Sequence, residues 1–174
     1  VGLGNPGEEY RDTRHNVGFD VIDRVAADHR LSFEVGPARA VQAKWRLASG
    51  DAVLLAKPLT FMNLSGEAVG SLCRYYKVAV EDLFVVCDDV NLPLGRLRAR
   101  ANGSEGGHNG LKSVAQHLGT TDYARLRIGV GRGVEAMPGL NPDAIESWAL
   151  AAITFGALLA RPAPHRMVVL MSGD

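Results

Sequence analysis

His15 and Asp88 are the two side chains of this sequence best placed for acid–base chemistry near neutral pH. His15 ends the stretch GLGNPGEEYRDTRH, and an apolar helical pattern begins just behind it. The positive end of a helix dipole disfavours an imidazolium, so an imidazole there is held in its neutral form. A general base needs that form. Asp88 follows the apolar run from Leu83 to Cys87, where a buried strand would end. A carboxylate at such an edge can fix an imidazole's tautomer and stabilise its protonated state. Asn5, Asn63 and Asn109 fall at comparable strand-to-helix junctions, and each amide offers both donor and acceptor. Taken singly, each has a plainer reading: a capping or surface histidine, a turn aspartate, a helix-cap asparagine. Together they form a polar set at one kind of position. The sequence has no G-x-S-x-G nucleophile elbow, and Cys87 sits inside an apolar run and reads as core. A His–Asp pair with no side-chain nucleophile points to an activated water, hence to hydrolysis.

The opening stretch also spells G-x-G-x-x-G at Gly2, Gly4 and Gly7. A dinucleotide fingerprint starts its helix inside the glycine motif, so that the helix N-terminus meets the pyrophosphate. Here Gly7 is followed by Glu-Glu-Tyr-Arg-Asp-Thr-Arg-His, with no helical period and with carboxylates where phosphates would lie. The nucleotide reading is therefore set aside. Asp88 and Asp89 are adjacent, but no clustered His, Glu or Cys supplies further ligands, so neither a metal nor a cofactor is expected. Gly103 to Gly110 reads as a mobile loop running into a helix. Its glycines leave N–H groups accessible, an anion-friendly arrangement that ends in His108 and Asn109.

These residues need a scaffold that brings strand ends together. Val1 to Gly4 reads as the end of a strand, and Asn16 to Ala27 as a helix with Val17, Val21 and Val25 on its apolar face. Val41 to Leu47 and Ala52 to Lys57 form a hairpin pattern about Ser49-Gly50-Asp51. Ser65 to Tyr76 reads as a helix with Ser65 as its N-cap. Leu83 to Cys87 suits a buried central strand. Gly95 to Arg100 alternates Arg with Leu or Ala, a strand with one wet, basic face. Gly110 to Leu118 is helical, Arg125 to Val130 a strand, and Asn141-Pro142 opens a last helix towards Ala160. The alternation predicts a single α/β domain: a mixed, mostly parallel twisted sheet between helices in three layers.

The 174 residues suit one domain, and 47% hydrophobic with 22% charged residues excludes a disordered chain. Net charge is zero, but Arg96 to Arg132 holds seven Lys/Arg against two acids. A basic face of that kind can bind a polyanion, or it can be a solvated surface. Cys73 and Cys87 are too few for a disulfide scaffold and read as buried thiols of a reducing compartment. With no signal peptide visible and no apolar stretch long enough to span a bilayer, the reading is a cytoplasmic protein with no membrane partner.

Five motifs in order carry a resemblance. They are G-L-G-N-P-G-x-x-Y-x-x-T-R-H-N from Gly2, K-P-x-T-F-M-N-x-S-G from Lys57, D-D at Asp88, L-P-x-G from Leu92 and G-G-H-N-G-L-K-S from Gly106. Together they resemble the bacterial peptidyl-tRNA hydrolase family, from Val1 to about Gly133. The resemblance implies a phosphorylase/hydrolase-like α/β/α fold. It implies an esterase that cuts the bond between a stalled peptide and the tRNA 3′ ribose, recycling the tRNA as a monomer without metal or protein partner. It implies that His15 activates water, that Asp88 orients it, and that Asn5 distinguishes N-blocked peptidyl esters from free aminoacyl esters. Tyr10, Phe61, Asn63 and Asn109 match positions that contact the tRNA end or the peptide, with His108 assisting beside them. Arg98, Arg100, Lys112 and Arg127 match basic positions that meet tRNA phosphates. The chain departs from the family at Asn91, where an acid is common, at Asn102, where a glycine is common, and after Val134. That last departure bears on the segment that covers the peptide channel, and it motivates a rival: an RNA-binding module of the same fold without catalysis.

Overall fold

A computed structural model describes residues 1–132 and 142–159 of the chain. In chain order these form α1 (Val17–Asp28), β1 (Glu34–Gly36), β2 (Ala40–Arg46), β3 (Ala52–Pro58), α2 (Ser65–Tyr76), β4 (Phe84–Asp89), β5 (Leu97–Arg100), α3 (Asn109–Leu118), β6 (Ala124–Gly129) and α4 (Pro142–Leu159). Short 3₁₀ turns at Glu8–Tyr10, Arg14–Asn16 and Met62–Leu64 lie beside the strand ends.

β1, β2 and β3 form an antiparallel meander. β6 lies between β4, to which it is parallel, and β5, to which it is antiparallel. The opening residues join the two groups: Gly2 bridges Val86 of β4 in parallel, and its N–H donates to Ala56 of β3. The sheet is mixed, as expected, but it is not mostly parallel. Parallel pairing is confined to its middle, where β4 and β6 are buried along their whole length. The cause is local. The connection over 90–96 is too short for a parallel crossover, which needs a dozen residues or more, so β5 runs back against the direction of β4.

Strand alternation sorts the core into two layers. Leu54, Ala56, Val85 and Cys87 face α2 and α3, through Val69, Leu72, Leu111 and Val114. Val53, Leu55, Phe84 and Val86 face α1 and α4, through Val17, Val21, Ile22, Val25, Trp148 and Ala152. Each fully buried aliphatic side chain contributes about 1.5–3 kcal/mol, so both layers hold the strand ends in place. Within this frame Ser65 is not the N-cap of α2. Leu64 holds that position, and Ser65, the first helical residue, donates its hydroxyl to the Met62 carbonyl at 2.8 Å. β1, a short exposed edge, has no periodic signature from which it could be read. The helix expected from Asn141 is present as α4, while Asn141 itself, the segment around Val134 and the residues after Leu159 lie outside the described residues.

Candidate active site

The parallel strand β4 ends in two buried aspartates with separate tasks. Asp88 has no exposed side-chain surface, and its Oδ2 lies 3.0 Å from Nδ1 of His15, which is 35% exposed. A carboxylate oxygen can only accept, so Nδ1 carries the proton and the basic lone pair sits on Nε2, the nitrogen on the far side of the ring. His15 reaches this place because the 3₁₀ turn Arg14–Asn16 leads directly into α1. Two further turns of chain thus separate the glycine motif from the helix, which is the geometric reason Gly2 to Gly7 does not form a nucleotide cradle. Asp89 faces away: its Oδ1 accepts from the Asn91 N–H at 2.9 Å and its Oδ2 from Arg127 at 3.3 Å.

Asn5 sits within this region with its orientation determined. The Met62 N–H donates to Oδ1 at 3.1 Å, so the Nδ2 end is left to donate elsewhere. Buried Asn16 ties the loop down: its Oδ1 accepts from Asn5 N at 3.0 Å and its Nδ2 donates to Tyr10 O at 2.8 Å. A Cβ at Gly4 would lie 2.6 Å from that Oδ1 and 2.5 Å from the Phe19 ring, so only glycine lets the turn pass. Asn16 ends the opening motif, but no role was read for it from the sequence, although a polar side chain at the start of an apolar helical face was the available signal. Tyr10 and Phe61 meet edge to face with centroids 6.5 Å apart, and Phe61 is 52% exposed. Asn63 and Asn109 are exposed, one in the 3₁₀ turn before α2 and the other at the first position of α3.

His108, expected beside them at the substrate, is instead turned inward and is 4% exposed. It is the N-cap of α3: its Nδ1 accepts from Leu111 N at 3.1 Å. Its Nε2 lies 3.3 Å from Asp88 Oδ1. Neither cysteine competes as a nucleophile. Burial pushes the Cys73 thiol up to about 11 and the Cys87 thiol higher still.

The basic stretch divides in two. Arg96, Arg98, Arg100 and Lys112 are exposed, the first three on or next to edge strand β5. Arg125 and Arg127 are buried on β6. Arg127 donates to the carbonyls of Ser104 and Glu105, and Arg125 to those of Ser104, Thr121 and Tyr123, so the two fasten the glycine-rich loop to the sheet. Burial lowers the Arg125 guanidinium from its ordinary value, and its Nε is buried without a partner. Arg127, for which the resemblance implies a tRNA phosphate contact, is buried and engaged with Asp89 and the loop carbonyls. A cavity of about 290 Å³ runs between β5 and this loop, with Arg98 and Arg100 at its wall and Arg125, Arg127 and Asp89 among its lining.

Comparison with known proteins places the chain among relatives of one family. The family model for peptidyl-tRNA hydrolase matches residues 1–154, which extends past Gly133 into α4. Peptidyl-tRNA hydrolases of Exiguobacterium sibiricum and Bacillus subtilis are 54% and 52% identical, over 76% and 79% of this chain and 71% and 72% of theirs. The crystal structure of the Acinetobacter baumannii peptidyl-tRNA hydrolase superposes with a TM-score of 0.74 at 32% identity, over 88% of this chain and 81% of that one. A peptidyl-tRNA hydrolase in complex with n-propanol gives a TM-score of 0.75 at 31% identity, over 91% and 86%. With the sequence match spanning most of the chain and the same fold carrying it, this chain belongs to the peptidyl-tRNA hydrolase family.

Proposed function

We propose that this chain hydrolyses the ester between a peptide and the tRNA 3′ ribose, using a water activated by His15. The observation that carries the reading is the 3.0 Å contact between His15 and the fully buried Asp88, with the oriented amide of Asn5 in the same region. A water at Nε2 of His15 gives that nitrogen its proton while its oxygen attacks the ester carbonyl carbon. The carbonyl electron pair moves onto oxygen, where amide donors such as Asn5 Nδ2 stabilise it. The pair then re-forms the carbonyl, the bond to the ribose oxygen breaks, and the imidazolium returns the proton to that leaving oxygen. Asp88 stays ionised throughout and stabilises the imidazolium. A positioned base of this kind contributes about 10²–10⁴-fold in rate.

The surroundings support a tRNA ester as substrate. Tyr10 and Phe61 offer ring faces on which a terminal base or an apolar peptide group can rest. Asn63 and Asn109 offer amides at the rim, and Arg98, Arg100 and Lys112 offer exposed cations to phosphates. The cavity beside β5, with exposed Arg98 and Arg100 at its wall, has the charge to receive a phosphate group. Asn5 would give the preference for N-blocked esters: its donor can meet a peptide carbonyl, which a free α-ammonium does not provide. We read residues 1–174 as one catalytic unit acting as a monomer in the cytoplasm. Among the described residues no helix is long and apolar enough to cross a membrane.

The test is release of free tRNA over time from N-acetylaminoacyl-tRNA and, separately, from the unblocked ester. Fast release from the blocked ester alone is expected. A folded sample that releases tRNA from neither overturns the catalytic reading and leaves an RNA-binding module.

A further inference from the structure

We propose that His108 is a positioning residue for the carboxylate of Asp88; the proposal rests on the reading of His15 and Asp88 as the catalytic pair. The tautomer of His108 follows from its partners. The Leu111 N–H can only donate, so Nδ1 of His108 is bare and the ring proton is on Nε2. That proton points at Asp88 Oδ1, 3.3 Å away, while His15 donates to Oδ2. Among the described residues, the side-chain bonds of Asp88 are therefore one imidazole N–H on each oxygen.

Two consequences follow. The carboxylate is held from both ends and cannot rotate, so Oδ2 stays aimed at His15. Its charge is also shared between two donors, which moderates its hold on the His15 imidazolium and eases return of the proton to the leaving oxygen. The other ionisable groups nearby are engaged elsewhere. Asp89, next along β4, is bonded to Arg127 of β6; Arg14, next to His15, reaches the Gly131 carbonyl; and Cys87 is a buried thiol. The capping bond makes His108 rigid as well. Its Nδ1 serves α3, so the ring is locked to the helix whose first residue is the exposed Asn109. The same backbone segment is bonded to the glycine-rich loop, through the His108 N–H on the Glu105 carbonyl. His108 thus ties the catalytic carboxylate to the elements that would receive the tRNA.

The experiment separates the two bonds. His108→Ser keeps an oxygen able to cap α3 but is too short to reach Asp88. His108→Asn keeps the cap and adds an amide donor. The rate of ester hydrolysis is measured for both across pH, with His15→Ala alongside. We expect kcat to fall about ten-fold in His108→Ser with KM within about two-fold. We expect the acid limb of its kcat/KM profile to move to higher pH, and part of kcat to return in His108→Asn. A rise in KM with kcat and profile unchanged makes His108 a substrate contact and overturns the proposal, as does an unaltered rate, which leaves a helix cap alone. Imidazole nitrogen NMR of the unmodified protein is a second measurement, independent of whether the variants fold. The Nε2–H tautomer is expected for His108, and an Nδ1–H tautomer overturns the assignment. If His15→Ala retains turnover, the catalytic pair itself is wrong. If only His15→Ala is inactive, the pair stands and the role of His108 falls.

Discussion

Asp88 is a carboxylate with no exposed surface, surrounded by two histidine rings and the end of an apolar strand. Burying a charge is costly unless it is hydrogen-bonded, and here both oxygens are. Asp88→Asn tests what that arrangement does. An amide presents an N–H2 where one of the imidazoles now donates, so that ring must turn or change tautomer. If the ring is His15, its Nε2 acquires the proton and loses its basic lone pair. Turnover is expected to fall by about 10²–10⁴-fold, with tRNA affinity nearly unchanged, as read by single-turnover hydrolysis beside a binding titration. An unchanged rate removes Asp88 from the reaction.

The element that matters most to the site is the pair α2 and α3, because its helix N-termini carry Asn63 and Asn109 to the rim. The two helices touch through backbone. A Cβ on Gly66 would lie 2.0 Å from the Ser113 carbonyl oxygen, and the Gly66 N–H donates to Ser113 Oγ at 3.0 Å. Gly66→Ala must spread the helices, at a cost of about 1–3 kcal/mol, read as a lowered denaturation midpoint. An undiminished midpoint means that the pair can slide apart at little cost. Strand β6 works differently. Its Ala124, Leu126 and Ile128 fill the layer against α1 and α4, while Arg125 and Arg127 between them hold loop carbonyls. Alternation turns one strand into both a core element and a support for the glycine-rich loop.

Over the whole molecule, a net charge of zero conceals a division of labour. Exposed Arg96, Arg98, Arg100 and Lys112 lie on or next to β5 and on α3, whereas Asp12, Asp20 and Asp23 come together at α1. Arg98→Ala should weaken tRNA binding and reduce the slope of log affinity against log salt by about one. Binding titrations at several salt concentrations check this, and an unchanged slope removes Arg98 from the phosphate contacts. In the acidic cluster, burial pushes Asp20 up to about 7, with Asp23 and Asp12 adding to the rise and Lys57 opposing it. A carboxyl raised in the folded state binds its proton more tightly there than in the unfolded chain. Its contribution to stability is therefore full below its ordinary value of 3.8 and is lost as pH rises through about 7. Asp20→Asn should leave the melting temperature unchanged near pH 4 and raise it by a few degrees near pH 8. Thermal unfolding at the two pH values decides it; an equal shift at both would mean that packing is responsible, not charge.

The sequence by itself determined the class of fold and singled out the polar set to which the chemistry is proposed to belong. Apolar periods marked α1 to α4 and β2 to β6 because burial demands them, and His15, Asp88 and the three asparagines stood out as polar residues at the ends of those periods. Five ordered motifs carried the family resemblance as far as Gly133. Tertiary structure decided which residues meet. Strand direction was legible only where connections are short, as in the hairpin about Gly50; which distant segments become neighbours was not, and Gly2 joins the two sheets only by lying between Ala56 and Val86. Nor was the difference between Arg100 and Arg127: charge is written in the side chain, exposure is not, and the closing of a loop over β6 turned one of two similar arginines inward. His108 shows the same division. Its position in G-G-H-N-G marked it as functional, but its orientation was set by the Leu111 N–H and Asp88, partners from α3 and from a strand far away in sequence.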